Sequence, residues 1–392
     1  MAPSGDREGT AEPAPEGGTP SRRTVAVLFG GRSAEHEISC ISARSVIDAL
    51  DPERHDVVAV GITRDGRWKV LSAAPALPSE TGRMPQVTDG DGQPAELVEG
   101  VGPSRELVVA DGRRRVIDVV FPVLHGPFGE DGATQGLLEL AGVPFVGAGV
   151  LGSALGMDKA VQKVLFAAAG LPIVPFEVVR ETAWREDAEG VAARIGALGY
   201  PVFTKPATLG SSVGISRVGD AGEVAAGLEE AFRYARKAVV ERGIQPIREV
   251  ECAVLGNDDP VASVVGEIVP RGHAFYDYEA KYLDEQGAEL VIPARVSDQV
   301  ASRIQRMAVS AFQVVEGAGM ARVDFFLRGD DELWLNEINT IPGFTSISMY
   351  PKLWEASGLA YPRLVERLLD LAIERNAVER RKATDVRELG GA

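Results

Sequence analysis

Arg322-Val323-Asp324-Phe325-Phe326-Leu327, the turn Arg328-Gly329-Asp330-Asp331, and Glu332-Leu333-Trp334-Leu335-Asn336-Glu337-Ile338-Asn339 are the stretch on which the fold turns. In strands, alternate side chains share a face, so Arg322 goes with Asp324 and Glu337 goes with Asn339. The turn is short enough for antiparallel pairing, which brings Asp324 close to Glu337. The neighbours Val323, Phe325, Phe326, Leu335 and Ile338 mark the sheet as buried. Two carboxylates side by side in a buried sheet are costly unless a cation compensates them. Arg322 can bridge one, giving a merely salt-bridged edge, but a single guanidinium does not balance both. Asp, Glu and Asn offer only oxygen ligands, which suit a hard cation. So few of them suit an ion that keeps water and phosphate ligands, as Mg²⁺ does with a nucleotide.

Upstream, Lys205 ends the apolar run Tyr200-Pro201-Val202-Phe203-Thr204 and precedes Leu209-Gly210-Ser211-Ser212-Val213-Gly214. Backbone N–H groups of such a loop can fold over phosphates, with the lysine as a point charge at its base. No Gly-Lys-Ser/Thr closes the loop, so it is not a Walker A motif. Gly30-Gly31 likewise lacks the three spaced glycines of a dinucleotide fingerprint. The chain opens its ordered part with Thr24-Val25-Ala26-Val27-Leu28-Phe29, then Ser33 as a helix cap with Glu35, His36 and Glu37 in the first turn. A second apolar strand at Asp56–Ile62 follows at βαβ spacing, and the sheet resumes at Val116–Phe121. This predicts a doubly wound parallel sheet with ligands at strand C-terminal ends. Between them, 73–114 dissolves into Pro, Gly, Asp and Glu and reads as an elaborated hairpin or surface excursion. Helices are expected over about 158–169, 188–198, 298–316 and from 361 to about 374.

With 392 residues the chain exceeds one compact core. The reading divides it into a polar tail (1–21), an N-terminal domain (22–148), a central domain (149–244), a C-terminal domain (245–376) and a charged tail (377–392). The formal charge of −16 argues against nucleic acid as a partner, and bound phosphate must meet a local cluster of Lys, Arg and N–H groups. Two cysteines, Cys40 and Cys252, exclude a disulfide framework. No apolar run is long enough for a bilayer and no hydrophobic signal core opens the chain, so no membrane partner and a cytoplasmic site are expected.

The order of these fragments resembles the ATP-grasp superfamily and, within it, the D-alanine–D-alanine ligase family, from about Thr24 to Leu371. The marks are Phe29–Ser39, Leu124-His125-Gly126 with Gly129-Glu130-Asp131-Gly132, Ala154–Lys159, the Lys205–Gly214 loop, Tyr276–Tyr282 and Asn336–Thr345. The resemblance implies an α/β (α+β) ATP-grasp fold whose central and C-terminal α+β domains clamp ATP beside the N-terminal domain. It implies transfer of the γ-phosphate to a first D-alanine, giving an acyl phosphate that the amine of a second D-alanine attacks, a step in making peptidoglycan precursors. Asp324, Glu337 and Asn339 would ligate two Mg²⁺ (or Mn²⁺) ions. Lys159 and Lys205 would meet the phosphates under the Ser211-Ser212 loop, with Glu241 on the adenine and Glu249 on the ribose. Glu35 would anchor the first ammonium and link through Ser211 to Tyr282, besides being a first-turn acid favoured by the helix dipole. Arg322 and the Gly343 N–H would stabilise the oxyanion, Ser348 would hold the second carboxylate, and Lys281 would meet the transferred phosphate. The residues alone leave His125 open between structural and active-site roles; the resemblance places it in the site. His36, His55 and His273 read as exposed or satisfied polar groups.

The tyrosines Tyr276, Tyr278 and Tyr282, in place of a histidine-bearing segment, favour an amine acceptor over D-lactate. A D-alanine–D-lactate ligase, another ATP-grasp ligase of the biotin carboxylase or glutathione synthetase type, and a non-enzymatic ATP-sensing module remain the alternatives. By analogy with the family a homodimer is expected, with a monovalent cation as a further candidate ligand.

Overall fold

The apolar run at the start of the chain becomes β1 (Arg23–Gly30) in the computed structural model, which describes residues 22–77, 80, 82–99, 105–210, 213–270 and 288–382. It is followed by α1 (His36–Ala49), β2 (His55–Ile62), β3 (Trp68–Val70), β4 (Gln93–Glu99), β5 (Arg105–Val109), β6 (Arg114–Val116), β7 (Val119–Pro122) and α2 (Ala133–Leu140). These strands form one sheet in the order β6-β5-β4-β3-β2-β1-β7. Only β2-β1-β7 is parallel; β3 to β6 add on antiparallel. β1 is apolar without alternation because both its faces are covered. Val25, Val27 and Phe29 pack with Val46 of α1, whereas Ala26 and Leu28 pack with Leu138 of α2.

Two expectations need correction. Of the two alternatives for 73–114 the hairpin holds and the surface excursion does not: β4 and β5 pair antiparallel and continue the sheet, burying Ala95, Leu107 and Val109. And α1 begins at His36 with Glu35, not Ser33, at the N-cap; Ser33 Oγ instead accepts the Glu35 N–H at 3.1 Å. The chain spends the residues after β1 turning toward the crevice, which sets Ser33 before the helix.

Next come α3 (Val150–Met157), α4 (Lys159–Ala168), β8 (Phe176–Arg180), α5 (Glu181–Glu186), α6 (Ala188–Ala197), β9 (Val202–Pro206), β10 (Ser216–Val218), α7 (Val224–Phe232) and β11 (Lys237–Arg242). Their strands make a second sheet, β10-β9-β11-β8. Asp158 caps α4 by accepting from the N–H groups of Ala160 and Val161.

The third sheet is β14-β13-β12-β15-β16, from β12 (Arg248–Gly256), β13 (Val261–Pro270), β14 (Ala288–Val291), β15 (Gly319–Arg328) and β16 (Glu332–Asn339). Between β14 and β15 runs α8 (Asp298–Val314), capped by Ser297. Its Ile304, Ala308, Ala311 and Phe312 form one apolar stripe against Val250, Cys252, Val323, Phe325, Leu335 and Ile338. With that face sealed, the other face of the hairpin is left for polar work. The chain ends in α9 (Met349–Ala356) and α10 (Tyr361–Glu379). Among the described residues no helix is long and apolar enough to cross a membrane.

Phe344, fully buried, joins the first sheet to these last helices: its ring lies 5.5 Å from Phe121, 5.8 Å from Tyr350 and 5.6 Å from Tyr361. Phe344→Ala should lower the free energy of unfolding by about 3–5 kcal/mol in urea titration. A loss below about 1 kcal/mol would show that this cluster is not the joint between the two parts.

Candidate active site

The hairpin register decides the site. Near the turn, Phe325 pairs with Leu335, but a bulge at Asn336 shifts the remainder by one, so Asp324 pairs with Glu337 and Arg322 with Asn339. Without the bulge Glu337 would stand opposite Val323 and point into the core. Across β12, Glu251 stands in register with Asp324, which completes a row of three carboxylates, Glu251, Asp324 and Glu337. Arg322 Nε and Nη2 donate to Asp324 Oδ1 and Oδ2 at 2.7 and 2.8 Å, and Nε also lies 2.9 Å from Glu251 Oε2. Asn339 Nδ2 donates to Asp324 Oδ2 at 3.0 Å. The second cation is Lys159, whose Nζ is 2.8 Å from Glu337 Oε2. Burial opposes the charge on both, yet Asp324 and Glu251 carry Arg322 well above its ordinary range, and Glu337 raises Lys159.

A second charged cluster sits one turn along α4. The Glu241 carboxylate, almost wholly buried, is shared by Lys163 at 2.9 Å and Lys205 at 2.8 Å. Against the burial penalty, these two lysines pull Glu241 down to about 2. Lys163 shifts the other way: its own burial outweighs Glu241 and lowers it. Taken together, Glu241, Glu251, Asp324 and Glu337 face Lys159, Lys163, Lys205 and Arg322, four acids against four bases.

The N-terminal sheet contributes from the ends of β1 and β7, as predicted for such sheets. His125 is buried, with Nε2 at 3.3 Å from Ser42 Oγ and Nδ1 at 3.3 Å from the Ile341 carbonyl. Burial pushes its pKa down; Glu35 and the Ile341 carbonyl oppose this and Arg322 adds to it, so the ring stays neutral at neutral pH. Gly126 sits at φ +76°, and a Cβ there would come within 3.2 Å of Glu35 Oε2, so the glycine admits that carboxylate. The same oxygen lies 3.7 Å from where a Cβ of Gly210 would be, so the glycine loop does reach Glu35. Glu130 accepts the Gly126 N–H at 2.7 Å. It is only partly covered, yet burial, with Glu35 second, raises it to about 8. On the far side, Ser348 Oγ accepts the Thr345 N–H at 3.2 Å and lies 3.2 Å from where a Cβ of Gly343 would stand.

Between the second and third sheets lies a cleft of about 590 Å³. Its apolar walls include Val174, Phe203, Ile215 and Ile244, and Lys159, Lys205, Glu241, Glu249, Asp324 and Glu337 line its polar end. Lys159, Lys205, Glu241, Glu249, Asp324 and Glu337 thus converge, with Arg322 and Asn339 bonded to them. Each Glu241 oxygen lies beside one lysine, Oε1 beside Lys163 and Oε2 beside Lys205. Ser211, Ser212, His273, Tyr276, Tyr278, Lys281 and Tyr282 lie outside the described residues. His36 and His55 are both buried; His36 is satisfied, with Nδ1 2.7 Å from the Gly31 carbonyl and Nε2 accepting the Val87 N–H, while His55 pairs with Glu366 through Nε2 at 2.5 Å and leaves Nδ1 without a hydrogen bond.

Glu251, Lys163 and Gln162 escaped the reading of the sequence, and Glu130 had been noted without a role. The signals were present: Glu251 shares its strand face with Glu249, and Gln162 and Lys163 fall three and four positions after Lys159. Among the described residues no group of three or more His, Cys, Asp or Glu side chains is arranged to hold a metal ion by itself. Two carboxylates and an amide oxygen do fit a hard cation whose remaining ligands are phosphates and water.

Two family models match the chain, the "D-ala D-ala ligase N-terminus" over residues 24–148 and the "D-ala D-ala ligase C-terminus" over 165–370. A D-alanine–D-alanine ligase of Kocuria rhizophila is 47% identical over 386 residues, covering 93% of this chain and 97% of that protein. One from a Mycobacterium species is 50% identical over 367 residues, covering 90% and 97%. Among solved structures, the D-alanine–D-alanine ligase of Coxiella burnetii superposes with a TM-score of 0.79 at 38% identity, covering 92% of this chain and 96% of that one. The VanG D-Ala:D-Ser ligase of Enterococcus faecalis gives 0.76 at 34% identity, covering 90% and 100%.

Because the folded state holds Glu130 protonated up to about pH 8 while an unfolded glutamate ionises near 4.5, its contribution is complete below 4.5 and lost as pH rises toward 8. Glu130→Gln should therefore lose less stability over that window than the parent in melts taken across pH. Parallel curves for the two proteins would contradict the burial assigned to this carboxyl.

Proposed function

The chain belongs to the D-alanine–D-alanine ligase family of the ATP-grasp fold, and from that premise we propose that it joins two D-alanines into D-alanyl-D-alanine at the expense of ATP, for peptidoglycan precursor synthesis. The observation that carries this reading is the in-register row of Glu251, Asp324 and Glu337 at the polar end of a cleft with apolar walls. Those walls suit a base, and the acid row suits the cation that accompanies its phosphates. With four acids balanced by four bases, a triphosphate entering the cleft brings more negative charge than this cluster offsets, and divalent metal suits that excess. Asp324, Glu337 and Asn339 would hold two Mg²⁺, or Mn²⁺, whose part is to neutralise charge on the transferring phosphoryl group.

The protein's own groups then divide the work. Lys159 and Lys205 exchange a carboxylate partner for phosphate oxygens, under the Ser211-Ser212 loop. Glu249 binds the ribose, and Glu241, beside Lys163 and Lys205, receives the adenine amino group. Glu35 holds the first ammonium, Ser348 the second carboxylate. Arg322 keeps Asp324 on Nε and Nη2 and offers Nη1, with the Gly343 N–H, to the oxyanion of the tetrahedral intermediate. Neutral His125, on which both Glu35 and Arg322 act, adds no charge to the site. Lys281 would meet the transferred phosphate, and Tyr282 would link through Ser211 to Glu35. D-Alanine is the proposed acceptor, with D-lactate and D-serine the ones to exclude. A division of the chain near residues 148 and 244, a cytoplasmic site and a homodimer belong to the same proposal. Leu137, Leu140 and Leu151, exposed on α2 and α3, support a partner surface.

The purified chain with ATP, Mg²⁺ and D-alanine should release ADP and the dipeptide, faster than with D-lactate or D-serine as acceptor at neutral pH. Asp324→Asn and Glu337→Gln should each slow this by about 100-fold or more, the scale seen when one transition-state contact is lost. ADP release independent of D-alanine, or either variant at the parental rate, would refute the assignment.

A further inference from the structure

β16 is the outermost strand of its sheet, so the backbone groups of its far edge need partners other than a strand. Near the turn, the Leu335 N–H donates to the Pro172 carbonyl at 2.8 Å. Past the bulge, α4 takes over with side chains. Gln162 Nε2 donates to the Ile338 carbonyl at 3.2 Å, and the Ile338 N–H donates to Gln162 Oε1 at 3.2 Å. A side-chain amide has a donor and an acceptor at the spacing of a peptide group, so Gln162 pairs with Ile338 as a neighbouring strand would. Lys163 Nζ adds a bond to the Asn336 carbonyl at 3.3 Å. Both side chains are 1% exposed.

Ile338 lies between Glu337 and Asn339, and Asn336 is the bulged residue that turns Glu337 toward Asp324. We propose that Gln162, assisted by Lys163, is a positioning residue that holds the bulged end of β16 so that Glu337 and Asn339 meet the metal; this rests on the ligase reading above. Positions 159, 162 and 163 occupy one face of α4. The helix is itself tied to the second sheet, by the Lys159 N–H to the Ala207 carbonyl at 2.8 Å, by the Asp158–Lys237 pair, and by Lys163 to Glu241 at 2.9 Å. One face of one helix therefore spaces the nucleotide side of the cleft from the metal side. Mg²⁺ tolerates little departure from octahedral geometry, so a strand end free to shift loses the ion before it loses the nucleotide.

The test uses the full chain saturated with ADP, with Mn²⁺ binding read by electron paramagnetic resonance. Gln162→Met keeps the side-chain length and removes both bonds to Ile338. It should weaken Mn²⁺ about tenfold or more, the usual effect of losing a group that orients a ligand, and raise the metal concentration needed for half-maximal ADP release in step. The KM for D-alanine should stay within about twofold, because uniform loosening would move it too. Ile195→Val, in the core of the second sheet, supplies a destabilised control in a cluster that contains no residue of β16. If Gln162→Met does not fold, Lys163→Met is read the same way. Mn²⁺ affinity in the variant equal to that of the Ile195→Val control overturns the positioning role. Failure of the parent chain itself to bind Mn²⁺ with ADP, or to turn over D-alanine, overturns the ligase reading instead.

Discussion

Asp324 and Glu337 stand opposite each other in a half-buried hairpin, and carboxylates so placed repel unless cations hold them together. In this state the cations are Arg322 and Lys159, bonded at 2.7 to 2.8 Å. Such pairs contribute little net stability once desolvation is counted, so packing, not the ion pairs, has to hold the row in place. That packing is on the other face of the sheet, where α8 fills against Val323, Phe325, Leu335 and Ile338. The hairpin is thus anchored through its apolar residues and chemically active through its polar ones.

From this constraint the arrangement of the other parts follows. Lys159 reaches Glu337 because Asp158 caps α4 and fixes the start of the helix beside the second sheet. Four positions on, Lys163 shares Glu241 with Lys205, so the helix links the two charged clusters. The N-terminal sheet brings Glu35 and His125 to the same region from strand ends, with Arg322 close enough to influence the His125 ring. A ligand that separates Lys159 from Glu337 would disturb charges on all three sheets, since Lys159 also feels Glu241 and Glu130.

Much of this was legible in the residues. The alternation of Arg322, Asp324 and Phe326 with Val323, Phe325 and Leu327 separates a cleft face from a core face in β15, and the structure keeps it. The bulge was not read, although its trace is there: Leu333, Leu335 and Ile338 are the buried positions of β16, and their spacing changes from two to three. Gln162 and Lys163 were missed because polar residues on an amphipathic helix ordinarily face water, and only their partners on β16 explain their burial. For 73–114 the hairpin was legible, but its membership of the sheet was not, for a different reason. β6 is exposed along its whole length and β5 buries only Leu107 and Val109, so period-two patterning is faint. Ser33 looked like a cap by type, but the turn after β1 places Glu35 there.

The most direct test of the central claim is a crystal structure of the chain with ADP, Mg²⁺ and a phosphorylated mimic of the tetrahedral intermediate. The account predicts metal density between Asp324 and Glu337, with Asn339 in contact. Lys159 should have moved from Glu337 to a phosphate oxygen, and Arg322 should still be bonded to Asp324. Nucleotide bound with Lys159 still on Glu337 and no metal at the acid row would contradict it.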